Sequence, residues 1–283
     1  MHHSYRSVKS TVPGDHHSPF RGQGLEFDSV REYIPGDDIR NIDWRVTART
    51  GSPHLKLFKE ERERHIVLCV DMNAAMRFGT KNTFKSVQAA RAAALLGWQG
   101  IAQHDRVSAC LFGDVRNGIQ YFKPQRTRKS LCAILKMLSE PNTEQHHISL
   151  EDVLHHINTA AHTGSLIYLI SDFMDIDVNF QPAAISRLSK RCDVVFIAIN
   201  DQADKSIYPV GLCGFCAHDK KVYVNTDSIA GREAYSSQWK ENRQRLCEIT
   251  YRLKIPMIEL TTESDVHRDL VLGLKHIAKR KKR

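Results

Sequence analysis

From His65 onward, short runs dense in Val, Ile, Leu and Phe alternate with longer stretches of helical periodicity, and nothing else in the 283 residues limits the fold so tightly. That alternation is the signature of βαβ units around a mainly parallel sheet. The first strand reads as His65 to Val70 and ends at Asp71. Lys81 to Gln103 reads as a helix, with Phe84, Val87, Ala90, Ala94, Trp98 and Ile101 at spacings of three and four, which predicts that this face is the buried one. Arg106 to Phe112 and Gly118 to Phe122 are separated by the turn-rich link Gly113-Asp114-Val115-Arg116-Asn117, so they are expected to pair antiparallel at a sheet edge. Helices follow over Arg128 to Ser139 and Leu150 to Ala161, then a buried strand, Leu166 to Ser171, closed by Asp172. Helix Gln181 to Lys190 leads to strand Asp193 to Ile199, closed by Asn200 and Asp201. A long amphipathic helix, Arg232 to Lys254, a last strand, Pro256 to Thr261, and a helix from Val266 to Ile277 complete the pattern.

Two segments break this order. Residues 205–228 carry Gly211, Gly214 and a short strand-like run, which suggests a small hairpin insertion. Arg21 to Glu61 holds Gly22, Gly24, Pro35, Gly36, Gly51 and Pro53, so it is expected to be turns and short extended pieces rather than helix, lying as an arm across the α/β body. The expected organisation is a flexible tail over 1–20, the arm over 21–64, the α/β domain over 65–274 with its insertion, and a basic tail over 275–283.

Composition narrows the function classes. With 41% hydrophobic and 26% charged residues the chain is an ordinary globular sequence. Its longest apolar runs, such as Val194 to Ile199, fall far short of the about 20 residues that cross a bilayer, and Met1 to Pro19 lacks an apolar leader core, so a cytoplasmic location is expected. The net charge of +9 owes much to the run from Lys275 to Arg283, and no nucleic-acid-binding motif accompanies it, so no nucleic-acid partner is expected. Cys213 and Cys216 have CxxC spacing but no second pair to complete a zinc tetrahedron. The paired histidines, such as His155-His156, are adjacent and do not face one another on a helix. Neither GxSxG nor GxxxxGK[ST] occurs, which removes the commonest serine-hydrolase and nucleotide-binding signatures.

In open doubly wound sheets, ligands bind beyond the carboxyl ends of the strands, where the strand order reverses. If the strands ending at Asp71 and Asp172 are neighbours there, the two carboxylates share one crevice, and a divalent cation would relieve their repulsion. Asp71-Met72-Asn73-Ala74-Ala75-Met76, after a buried strand, resembles the DxSxS metal-ion-dependent adhesion site of von Willebrand factor A domains, and Ser171-Asp172-Phe173 resembles that family's second aspartate strand end. A longer resemblance lies upstream. Gly22-x-Gly24-x-Glu26-Phe27 and the run from Arg31 to Trp44, followed by Ala48-Arg49, are similar to the signature of domain of unknown function family number 58.

That resemblance implies an α/β fold with a doubly wound, mostly parallel sheet of the von Willebrand factor A (Rossmann-like) type, an N-terminal extended arm and a small β insertion. It also implies a bacterial cytosolic protein that works with a MoxR-type AAA+ ATPase, and with a protein client, in chaperone-like or assembly work. Many relatives carry membrane helices upstream, and this sequence resembles the short, soluble form. Carried onto this chain, the metal ligands would be Asp71, Asn73 and Asp172, with Mg2+ as the expected ion. The site is degenerate, because Ala75 stands where the second hydroxyl belongs and Ile148 where a threonine ligand belongs, and magnesium demands a nearly complete set of oxygens. In the upstream segment Ile34, Ile39, Ile42 and Trp44 are expected to anchor the arm, with Asp37 and Asp38 making a turn after Pro35-Gly36. The charged set Asp37, Asp38, Arg40, Asp43, Arg45 and Arg49, together with Trp44, is the candidate partner surface. The leading expectation is a non-enzymatic adaptor. The alternative is a metal-dependent phosphotransferase or hydrolase using Asp71, against which stands the lack of a second carboxylate two residues on, at Asn73.

Overall fold

The computed structural model describes residues 25–60, 63–140, 146, 148–176, 179–217 and 220–281. Gly22, Gly24, the 1–20 tail, His147 and the last two residues lie outside that set. The chain divides into two compact units, Met1–Arg62 and Glu63–Arg283.

In the first unit, β1 (Leu25–Glu32) and the later β2 (His54–Glu60) pair antiparallel, Glu32 opposite His54 at the closed end. Between them lie a single 3-10 turn, Ile39–Asn41, and a two-turn helix, α1 (Trp44–Thr50). This helix corrects the expectation that the segment contains none. The Asp43 side chain accepts from the N–H groups of Arg45 and Val46, and Gly51 closes the helix at φ 77°, a left-handed turn that suits glycine. Seven residues between two such caps need no long apolar stripe to be helical. Of the four expected anchors, Ile42 is buried at 8% exposure and bridges Leu55, whereas Ile34, Ile39 and Trp44 are 61%, 65% and 69% exposed.

The second unit contains the alternation read from the sequence. Its elements run β3 (His65–Met72), α2 (Lys85–Ala102), β4 (Arg106–Gly113), β5 (Ile119–Gln125), α3 (Arg128–Ser139), α4 (Leu150–Ala160), β6 (Leu166–Ser171), α5 (Ala183–Arg191), β7 (Asp193–Asn200), the single turn α6 (Gln202–Lys205), β8 (Leu212–Ala217), β9 (Lys220–Asn225), α7 (Ile229–Arg252), β10 (Met257–Thr261) and α8 (Val266–Lys281). Six strands form one sheet in the order β10-β7-β6-β3-β4-β5, parallel throughout except for β5, which pairs antiparallel with β4 at the edge. Counted within the sheet this is the doubly wound order 3-2-1-4-5-6. β8 and β9 form the separate small hairpin expected from the insertion.

Strand side chains alternate between two layers. Ile66, Leu68 and Val70 join a cluster with Ala92 and Leu96 of α2, Leu131 of α3 and Leu270 of α8. Val67 and Cys69 join the opposite cluster with Leu154 of α4, Leu188 of α5 and Leu246 of α7. Both faces of the sheet are therefore covered, which is why its strands read as unbroken apolar runs.

Helix α2 corrects two expectations. It starts at Lys85 rather than Lys81, and its buried face is Lys85, Gln88, Ala89, Ala92, Ala93, Leu96, Gly97 and Gly100. Phe84, Val87 and Trp98, expected inside, are 51%, 38% and 40% exposed. Two glycines on this face allow close packing, Gly100 against Ile66 of the sheet and Gly97 against α3. A Cβ at Gly97 would lie 2.5 Å from Leu131 Cδ1.

Candidate functional site

β3 and β6 are neighbours at the point where the strand order reverses, so Asp71 and Asp172 come together at the carboxyl ends of the sheet as expected. Asp71 is 4% exposed and Asp172 7%. The Ser171 hydroxyl donates to Asp71 Oδ2 at 2.6 Å, and the Asn73 N–H donates to Asp71 Oδ1 at 2.9 Å. Ser171 Oγ also accepts the N–H of Phe173, a residue held at φ 57° and stacked on Phe196 at 4.7 Å. A non-glycine residue in this left-handed region needs such fixed surroundings. The turn after β3 is equally confined, because Gly113, at φ 101°, leaves room for it; a Cβ there would sit 2.5 Å from the Asn73 nitrogen.

The cation beside Asp172 is Lys85, the first residue of α2, a group the sequence reading left out. Its Nζ lies 2.8 Å from Asp172 Oδ2 and 3.2 Å from Asp204 Oδ2, with the lysine side chain 2% exposed. The Phe78 ring lies over the same ammonium at 5.9 Å. Burial works against the charged lysine, but the Asp172 and Asp204 carboxylates outweigh it and raise its pKa. Burial first, and then the neighbouring Asp172 charge, push Asp71 up to about 8.

Asp204 is fixed by a capping box at α6, accepting the Asp201 N–H at 2.7 Å. Asp201 in turn accepts the hydroxyls of Thr80 and Thr262, both at 2.6 Å. A second wall is built from Arg77 and Asp114, paired at 2.5 Å, with Asp114 also accepting the His146 N–H.

These residues do not fit a magnesium ion. Asn73 is used at both ends of its amide, donating to the Ile148 carbonyl at 3.1 Å and accepting the Ile148 N–H at 3.3 Å. Ala75 has no donor atom, and the Asp172 oxygen that would face a cation already holds an ammonium. Among the described residues no group of three or more His, Cys, Asp or Glu side chains is arranged to hold a metal ion.

The upstream aspartates turn out to have local partners. Asp37 takes the Arg31 guanidinium through two bonds of 2.7 Å and the Ile34 N–H at 3.0 Å. The Arg31 bond, foremost, holds its carboxyl below the usual range. Asp38 accepts from the Arg40 N–H, and Asp43 caps α1. Arg40 remains largely in solvent, its side chain 90% exposed, and Trp44, Arg45 and Arg49 follow on or beside α1.

Residues 29–245 match the family Protein of unknown function DUF58. The uncharacterized proteins Mb1516 of Mycobacterium bovis and Rv1480 of Mycobacterium tuberculosis are each 28% identical to the chain over 212 residues, which is 73% of this chain. The chain spans 64% of the length of these relatives. Among solved structures, BatB from Bacteroides thetaiotaomicron covers 78% of this chain and 100% of its own at 9% identity and a TM-score of 0.46. The von Willebrand factor A domain of SpRpn10 covers 74% of this chain and 93% of its own at 8% identity and a TM-score of 0.39. It is the strand order of the chain itself, rather than these distant likenesses, that defines the doubly wound fold.

Proposed function

We propose, from the premise that this chain belongs to the DUF58 family, that it is a non-enzymatic binding protein acting as an adaptor for a MoxR-type AAA+ ATPase and a protein client. The observation that carries this reading is the closure of the site: Asp71, Asp172, Lys85 and Asp204 are all buried and all bonded to one another's neighbourhood rather than aimed at a substrate. A nucleophile must be reachable and paired with a base, whereas Asp71 is sealed under the Ser171 hydroxyl. Beside the cluster, Phe78, whose ring lies over the Lys85 ammonium, and Phe84 are 40% and 51% exposed, and we take these two rings as candidate partner contacts.

The ATPase partner and a cytoplasmic setting are carried by the family resemblance. No helix among the described residues is long and apolar enough to cross a membrane. Arg40, Trp44, Arg45 and Arg49 are our candidate partner contacts, since the three aspartates beside them are engaged in turns and caps. Surface-immobilised ATPase should capture the purified chain in the presence of nucleotide. Arg45→Glu combined with Arg49→Glu should weaken capture at least tenfold while leaving the circular dichroism spectrum unchanged. Absence of capture by the unmodified chain, with and without nucleotide, would overturn the adaptor reading.

A further inference from the structure

We propose that Lys85 is the resident cation of this site: its ε-ammonium takes the electrostatic place of a divalent ion, and the carboxyl end of the sheet is held in its final shape without metal. The reading starts from a balance of charge. Asp172 and Asp204 approach one point from different elements, the end of β6 and the turn α6, and both are largely out of water, with side-chain exposures of 5% and 9%. Two carboxylates in such a place repel and lose hydration, and they persist only with a cation between them. In metal-holding sites a bound ion meets that need. Here the same need is met at 2.8 and 3.2 Å by a side chain that is itself 2% exposed.

The remaining oxygens are used up in agreement with this. Asp172 Oδ1 accepts the Met174 N–H at 3.1 Å, Asp204 Oδ1 also lies 3.3 Å from the lysine Nζ, and Asp204 Oδ2 additionally accepts the Asp201 N–H at 2.7 Å. Asp71, the other carboxylate of the pair, is bonded to Ser171 and Asn73 and not to the lysine. An entering ion would have to expel an ammonium and break the Asn73 bridge to Ile148, and it would gain no oxygen at Ala75. The covalent cation also differs from a metal in one functional respect, because it cannot dissociate. Divalent ions and chelators therefore have no hold on the site, and a partner meets one fixed surface.

The test uses the whole chain and needs no partner, so its failure is distinct from failure of the adaptor reading. Thermal unfolding and titration calorimetry of the unmodified protein are run with EDTA, then with millimolar Mg2+ or Mn2+. The expected result is an unchanged Tm and no saturable heat. Lys85→Met, which keeps the bulk of the side chain but strands two buried carboxylates, should lower Tm by about 10 °C. Adding Asp172→Asn to that variant should recover part of the loss, since it leaves one stranded carboxylate, Asp204, in place of two. Saturable divalent binding to the unmodified protein, or a Lys85→Met variant as stable as the parent, would overturn the proposal. Should Lys85→Met fail to fold, the metal titration of the unmodified chain decides alone.

Discussion

At the scale of single residues, the site is a chain of hydroxyl, amide and carboxyl groups in which each member fixes the next. Ser171 is its hinge, since one oxygen donates to Asp71 and accepts the Phe173 N–H. Replacing it with alanine leaves a buried carboxyl and a buried N–H without that partner, and each such loss costs about 1–3 kcal/mol. Ser171→Ala should therefore lower the free energy of unfolding by about 2–6 kcal/mol from those two losses combined, measured by urea denaturation. Ser171→Thr keeps the hydroxyl and should recover part of the loss. Asn73 was legible as a substitute for a hydroxyl ligand, but its role is mechanical: its amide ties the turn after β3 to the Ile148 backbone. Sequence names the residue at that position and says nothing about which backbone group 75 residues away it will meet.

Among the elements, α2 separates what periodicity reveals from what it hides. Large apolar side chains at a spacing of three and four marked Phe84, Val87 and Trp98 as the core face, yet the helix buries the adjoining stripe of small residues headed by Lys85 and Gln88. Gly97 and Gly100 let the helix lie close against Leu131 and Ile66, where an added Cβ would come within 2.5 and 2.7 Å, and Leu96 is the one large apolar side chain of the buried stripe. A lysine at the head of a stripe of alanines reads as a solvated helix start, so the sequence signal for the site's cation was masked by its own chemistry. Asp204 carried a readable signal, the Asp201-x-x-Asp204 capping pattern, but nothing in that pattern points to Lys85. The strands fared better, because two buried faces write the same apolar run whichever face a residue takes. Leu96→Ala, at 2% exposure, should destabilise by about 2–5 kcal/mol. Trp98→Ala, at 40% exposure, should cost less than about 1.5 kcal/mol despite removing the larger side chain. Equal losses at the two positions would contradict the orientation of the helix.

Across the α/β unit as a whole, the two ends of the sheet hold different kinds of polar group. The carboxyl ends gather acids around a lysine, while the amino end of β3 places His65 between the hydroxyls of Ser108 at 2.8 Å and Ser165 at 3.2 Å. Burial first, then the charges of His162 and Arg106, lower the His65 pKa from 6.5 to about 4. The unfolded chain consequently takes up this proton before the folded one does. The stabilising contribution of neutral His65 is whole above pH 6.5 and is lost as the pH falls toward about 4. The acids at the far end titrate as well, and Asp71 acts with the opposite sign: a folded pKa of about 8 makes it favour the folded state at low pH and oppose it as the pH rises. A pH profile of the unmodified chain alone would mix the two. His65→Gln removes one of them and keeps a side chain able to reach both serines. The urea midpoint of the parent minus that of His65→Gln should therefore decrease as the pH falls from 6.5 to 4, with the Asp71 contribution cancelling in the difference because the two sites lie at opposite ends of β3. Parallel profiles would mean that His65 takes its proton equally in both states.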